Sequence, residues 1–172
     1  AMSIVTPKDI VLLLGMFAAV INFCLSIPTA FVYGERMSYH SFLLDLFNTA
    51  VAACKPSACM AEQLSKLDTS NGICVVGAGK AAAEMAAETY RVLGDKCYGA
   101  VVTRYGYESA GDTGKIEVLT ANHPTPDNNS LVAGKTLLDL VRDTPATTPI
   151  LFLISGGGSS LMCLPVDDVP FS

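Results

Sequence analysis

An α/β domain with a largely parallel sheet and helices on both faces is what this 172-residue sequence predicts. Short continuous apolar runs, Ile73 to Val76 and Ile150 to Ile154, stand between segments of helical periodicity, as strands buried on both faces require. Glycines follow each of these runs at once, Gly77 and Gly79 after the first and Gly156 to Gly158 after the second. A strand, a glycine turn and then helix formers is how such folds aim backbone amides at a phosphate or carboxylate. The length suffices for one domain with a real core, since burial on folding reaches roughly 70% at about 150 residues.

Taken in order, Ser38 caps a helix whose Phe42, Leu43, Leu46, Phe47, Ala50 and Val51 recur at three- and four-residue steps, ending before Pro56. A shorter helix is expected from Ala58 to Leu67 with Ser57 as cap, and Asp68 to Gly72 reads as a turn into the strand Ile73 to Val76. Ala81 to Leu93 is rich in good helix formers, and Gly94 follows where a left-handed residue is wanted. Tyr98 to Thr103 and Ile116 to Thr120 read as strands, with Gly106, Gly111 and Gly114 in the loop between them. Ser130 is expected to cap a helix from Leu131 to Val141, and the last strand is Ile150 to Ile154. Ligands bind beyond the carboxyl ends of parallel strands, which places Gly77 to Lys80, Arg104 to Tyr107, Asn122 to Asp127 and Ser155 to Ser160 at one rim.

Composition narrows the function. A net charge of -5 and a pI near 4.8 leave no basic footprint for nucleic acid. Cys24, Cys54, Cys59, Cys74, Cys97 and Cys163 contain no C-x-x-C pair, and with only His40 and His123 beside them no metal site is expected. Reduced thiols in a cytoplasmic protein are the matching expectation.

Residues 1–36 differ from the rest. From Ile10 to Gly34 no residue is charged, a run long enough to cross a hydrocarbon core of about 30 Å. Asn22, Ser26, Pro28 and Thr29 dilute its second half, and Lys8 opposed by Asp9 makes a weak signal-peptide start. Three readings stand: a membrane anchor, a cleaved signal, or an extension outside the mature protein, whose domain then begins at Met37.

The candidate site residues come from the four rim segments. Gly77-Ala78-Gly79-Lys80-Ala81-Ala82 fits G-x-G-x-x-A, but the acidic residue that a nicotinamide site wants at the end of the next strand is replaced by Arg104. It is not a P-loop either, lacking that spacing and a hydroxyl after Lys80. Lys80 opens a helix, where a cation is unfavourable by a few tenths to about 1 kcal/mol unless an anion shares the place; it is an anion-binding lysine or a solvated surface one. Ser155, Gly156, Gly157, Gly158, Ser159 and Ser160 can form a nest of amides and hydroxyls for an anion, or a flexible connector. His123 and Asp127 lie on a loop stiffened by Pro124 and Pro126, and Asp127 is either a candidate base or the start of a helix. Arg104 is a phosphate-binding guanidinium or a solvated charge.

Together, Val75-Val-Gly-Ala-Gly-Lys-Ala-Ala82, Val102-Thr-Arg-Tyr-Gly106, Asn122-His-Pro-Thr-Pro-Asp127 and Leu153-Ile-Ser-Gly-Gly-Gly-Ser-Ser-Leu161, in this order, resemble the glycerate 2-kinase family, whose C-terminal part is called the MOFRL domain. The likeness runs from about Met37 to the end. It implies ATP-dependent phosphorylation of D-glycerate at the 2-hydroxyl, with Mg²⁺, in a cleft between a Rossmann-like first domain and the MOFRL domain. It also implies that Lys80 is catalytic and that Ser155 to Ser160 contact phosphate or glycerate. Members of that family continue beyond the position of Ser172, so residues 37–172 are expected to be part of the first domain, without the MOFRL domain and the family's catalytic arginine, and inactive alone. The alternatives are a nicotinamide-dependent oxidoreductase using Gly77 and Gly79, and a membrane-tethered binding domain without catalysis.

Overall fold

The computed structural model describes residues 10–14, 39–166 and 169–171. Five parallel strands form one sheet in the order β1-β5-β2-β3-β4: β1 (Ile10–Leu14), β2 (Ile73–Ala78), β3 (Cys97–Arg104), β4 (Ile116–Ala121) and β5 (Ile150–Ile154). The helices are α1 (Tyr39–Cys54), α2 (Pro56–Cys59), α3 (Ala61–Leu64), α4 (Ala82–Leu93), α5 (Asn128–Asp143) and the single turn α6 (Gly158–Leu161). This is the expected α/β architecture. The chain leaves β2 towards β3 on one side and returns with β5 on the other, so the strand order reverses at β2. In such sheets the reversal opens a crevice at the carboxyl ends. Both glycine turns, which follow β2 and β5, lie at that point.

Two apolar layers sandwich the sheet. Ile73, Val75, Val101, Leu151 and Leu153 pack under α4 with Met60, Leu64, Met85 and Ala86. On the other face Cys74, Val76, Ala78, Ala100, Val102 and Ala121 pack with Ala133 and Leu137 of α5 and Leu161 of α6. Alternate residues of β2 and β3 serve opposite layers, as the pleat dictates.

The elements differ from expectation where close packing or a side-chain bond overrides propensity. β2 runs on through Gly77 and Ala78, because both stay paired to β3 and β5. A Cβ on Gly77 would stand 2.9 Å from Leu153 Cβ, so only glycine lets β2 and β5 close here. The helix expected over 58–67 is two short turns that break at Met60, whose side chain is fully buried. α5 starts three residues earlier than expected, with Asp127 and not Ser130 as its cap. Gly94 does take a positive φ of 59° after α4. α1 forms and stops before Pro56, yet none of its residues is buried, and Leu43 and Phe47 are 62% and 64% exposed.

Within the apolar N-terminal run, Ile10–Leu14 lies parallel to Ile150–Ile154, residue against residue, as an edge strand. The Ser38 cap, Cys24 and the rest of residues 1–36 lie outside the described residues. Among the described residues no helix is long and apolar enough to cross a membrane. Every described member of the two apolar layers lies at Cys59 or later. A chain starting at Met37 is therefore expected to keep the four-stranded sheet and its cooperative melting transition while losing β1. Loss of the transition in circular dichroism would show that residues 1–36 are part of the folding unit.

Candidate functional site

The two glycine turns are joined to each other. Lys80 N–H donates to Gly156 O at 2.9 Å, Ala81 N–H to Ser155 Oγ at 3.0 Å, and Ser155 N–H to Ala78 O at 3.1 Å. Gly79 N–H is taken by Val102 O at 3.0 Å and Ala82 N–H by Gly79 O at 3.1 Å. The first turn thus spends the amides of Gly79 to Ala82 inside the protein, and Gly77, Ala78 and Gly79 are buried. It orders the second turn and has no row of open donors for a ligand.

The second turn is the reverse. The amides of Gly156, Gly157, Gly158 and Ser159 make no hydrogen bond among the described residues. Gly157 sits in the left-handed region at φ 91°, ψ 3°, which turns successive N–H groups towards one side. Ser160 Oγ closes the turn from behind by donating to Gly157 O at 3.1 Å. Unspent donors on a loop pinned at Ser155 and Gly156 form a cradle of a kind that can hold an anion.

Two side chains from other strand ends reach this cradle. A Cβ placed on Gly157 would stand 3.5 Å from Lys80 Cγ and 2.8 Å from His123 Nε2, and one on Gly156 would stand 3.7 Å from Lys80 Cε. Lys80 lies along the loop, and the His123 ring covers Gly157. Thr103 Oγ1 donates to Lys80 O at 3.4 Å, tying the lysine's backbone to the end of β3. A cation, an imidazole and four open amides at one strand rim can bind and neutralise a phosphoryl or carboxylate group.

Asp127 is placed otherwise. Its carboxylate accepts from Ser130 N–H at 3.0 Å and Asp127 N–H in turn donates to Ser130 Oγ at 3.1 Å, a reciprocal cap on α5. Tyr105 Oη donates to its other oxygen at 2.6 Å and itself accepts from Asn129 Nδ2 at 2.8 Å. The Tyr105 hydroxyl chiefly holds the Asp127 carboxyl below its usual range; burial opposes it, and the amides of Ser130 and Asn122 and the Ser130 hydroxyl add to the lowering. The same bond raises the Tyr105 phenol. A carboxylate so engaged is a helix cap and a poor proton acceptor. Asp127→Ala is expected to lose about 1–2 kcal/mol of stability at neutral pH. Because the folded pKa is depressed, that share is fully present above the unfolded value of about 3.9 and fades as pH falls through the folded value. Urea melts of both proteins at pH 7 and pH 3 check this: the gap should narrow in acid, and a gap unchanged at pH 3 counts against the charged cap.

Arg104 ends β3 in partial burial, its guanidinium 3.6 Å from the centroid of the Tyr107 ring. Among the described residues no group of three or more His, Cys, Asp or Glu side chains could hold a metal ion. A groove of about 570 Å³ opens elsewhere, over the outer face of α4 among Lys55, Glu84, Tyr90, Arg91 and Asp112. It contains none of the converging groups, so chemistry and not cavity size locates the site.

Sequence reading named the four segments that meet here. It missed Thr103, the bonding of Ser155 to the first turn, and Tyr105 as the partner of Asp127. The last contact joins residues 22 apart and follows from the β3–β4 register, Arg104 opposite Ala121, which no local pattern encodes.

Residues 42–172 match the family described as "Domain of unknown function (DUF4147)". A D-glycerate 2-kinase of Thermotoga maritima is 38% identical over 133 residues, covering 77% of this chain and 31% of the relative. A protein of Agrobacterium vitis with the provisional name hydroxypyruvate reductase is 40% identical over 131 residues, covering 75% of this chain and 29% of that one. The crystal structure of glycerate kinase from Thermotoga maritima superposes with a TM-score of 0.67 at 36% identity, over 76% of this chain and 31% of that chain. The chain therefore spans about a third of the length of these relatives.

Proposed function

The chain belongs to the DUF4147 family, and from that premise we propose that it supplies the phosphoryl-holding half of an ATP-dependent kinase acting on the 2-hydroxyl of D-glycerate. One observation carries the reading: Lys80 and His123 converge on a glycine loop whose amides from Gly156 to Ser159 are unspent. Phosphoryl transfer asks a protein mainly for positioning and charge neutralisation, and these groups provide both. The open amides and the Lys80 ammonium fit the oxygens of a polyphosphate. ATP with Mg²⁺ would supply the phosphoryl group, and Lys80 with the amides of Gly156 to Ser159 would hold its phosphate oxygens. In this reading Lys80 offsets the charge that builds on the transferred group, the amides orient its oxygens, and His123 walls the loop within reach of a hydroxyl proton. Ser159 and Ser160 flank the same loop. The remaining groups of the cleft come from the part of the relatives that this chain does not span, where the MOFRL domain belongs. We place the protein in the cytoplasm, consistent with the free thiols of Cys74 and Cys97 in the core.

A second reading, a nicotinamide-dependent oxidoreductase, is favoured by the name of the Agrobacterium vitis relative. Against it, a dinucleotide's pyrophosphate needs the amides after Gly77 and Gly79, and those are taken by Val102, Gly156 and Ser155. Incubating the full-length protein with D-glycerate and ATP or with hydroxypyruvate and NADPH separates the two. The expected outcome is a 2-phosphoglycerate resonance by ³¹P NMR and no nicotinamide oxidation; the opposite pattern overturns the kinase reading.

A further inference from the structure

We propose that Arg104, anchored against Tyr107, binds the carboxylate of the 2-hydroxy acid substrate, a role that rests on the kinase reading above. Along β3, Ala100 and Val102 pack in the layer beneath α5 and α6, whereas Val101 faces α4 and Thr103 reaches the backbone of Lys80. Side chains alternate along a strand. Arg104 therefore leaves the sheet on the face of α6 and the open amides, as its register partner Ala121 does. β3 lies two strands from β5, about 10 Å at the usual strand spacing. A three-carbon acid can bridge that interval between an arginine on one side and the Lys80 loop on the other.

The guanidinium carries unspent donors. Its Nε is buried and has no hydrogen-bond partner among the described residues. Buried donors almost always have one, so an orphan calls for an explanation. Contact with the Tyr107 ring at 3.6 Å fixes the guanidinium and spends none of its N–H groups. Nε is its one buried, unpartnered nitrogen, and the two Nη groups at the outer end form the pair that meets a planar carboxylate in two parallel bonds. Lys80 and the four amides already neutralise the phosphoryl group. The second oxyanion of the reacting pair is the acid's carboxylate, and its planar shape matches the open edge.

The test uses the full-length protein. Arg104→Lys keeps the charge and loses the fork, and Arg104→Gln loses both. Each is expected to raise the KM for D-glycerate at least about 30-fold, while the KM for ATP moves less than about twofold. Glyceramide, whose neutral amide replaces the carboxylate, should be a poor substrate for the unmodified protein and no poorer for the variants. In the unmodified protein the Arg104 Nε–H resonance should shift on addition of D-glycerate and not of inorganic phosphate, a readout independent of how the variants fold. An unchanged KM for glycerate, a rise confined to ATP, a lowered melting temperature with normal KM values, or an Nε–H resonance that ignores glycerate each overturns the assignment. A protein that phosphorylates no 2-hydroxy acid overturns the kinase reading and this inference with it. Phosphorylation that is indifferent to Arg104 overturns this inference alone.

Discussion

Lys80→Ala is expected to lower kcat/KM for glycerate phosphorylation at least about 10²-fold in the full-length protein, because a lost transition-state charge contact costs roughly 2.7 kcal/mol or more. The fold should survive. Lys80 is exposed, and what ties it to the rest of the rim is its backbone, through Gly156 O and Thr103 Oγ1, both of which alanine retains. The loss should therefore appear with an unchanged melting temperature. Turnover within a few-fold of the unmodified protein would remove Lys80 from the chemistry.

Gly79→Ala should do the opposite, damaging stability and, through it, activity. Gly79 has φ 140°, and a Cβ there would lie 2.6 Å from the Ser155 carbonyl oxygen, a backbone atom that cannot rotate away. Strain at such a φ and overpacking each cost about 1–3 kcal/mol. A loss of at least about 2 kcal/mol follows, or roughly 4–8 °C in melting temperature for a protein of this size. Gly156→Ala is the control: its Cβ would meet only Lys80 Cε at 3.7 Å, and its effect on stability should stay within about 0.5 kcal/mol. Equal melting temperatures for the two variants would mean that the docking of the turns does not hold the rim together.

These two glycines show what was legible in the sequence and what was not. The strands β2 to β5 announce themselves as short β-branched or apolar runs between helical segments, and the rim segments follow from their ends. Lys80, His123 and Ser155 to Ser160 were each visible as chemistry-bearing residues at a strand terminus, and the structure brings them together. The division of labour between the turns was not visible. Gly77 and Gly79 read as ligand-facing, yet their lack of a side chain serves the approach of Leu153 and Ser155, a contact between residues more than 70 positions apart. Asp127 and Ser130 form a reciprocal cap in which either could be read as the first residue of α5, and only the bond directions decide. α1 carries a clear apolar stripe that remains exposed, because periodicity reports a face and not what covers it.

The account centres on which of the two turns meets the phosphates. Glycine-selective ¹⁵N labelling of the full-length protein makes reporters of Gly77 and Gly79 in the first turn and Gly156, Gly157 and Gly158 in the second. On titration with Mg²⁺ and ATP, the amide resonances of Gly156 to Gly158 should shift progressively and saturate, because those N–H groups are open, while Gly77 and Gly79 stay close to their starting positions. Shifts centred on Gly77 and Gly79, with the second turn unmoved, would contradict the assignment of Gly156 to Ser159 as the phosphoryl cradle.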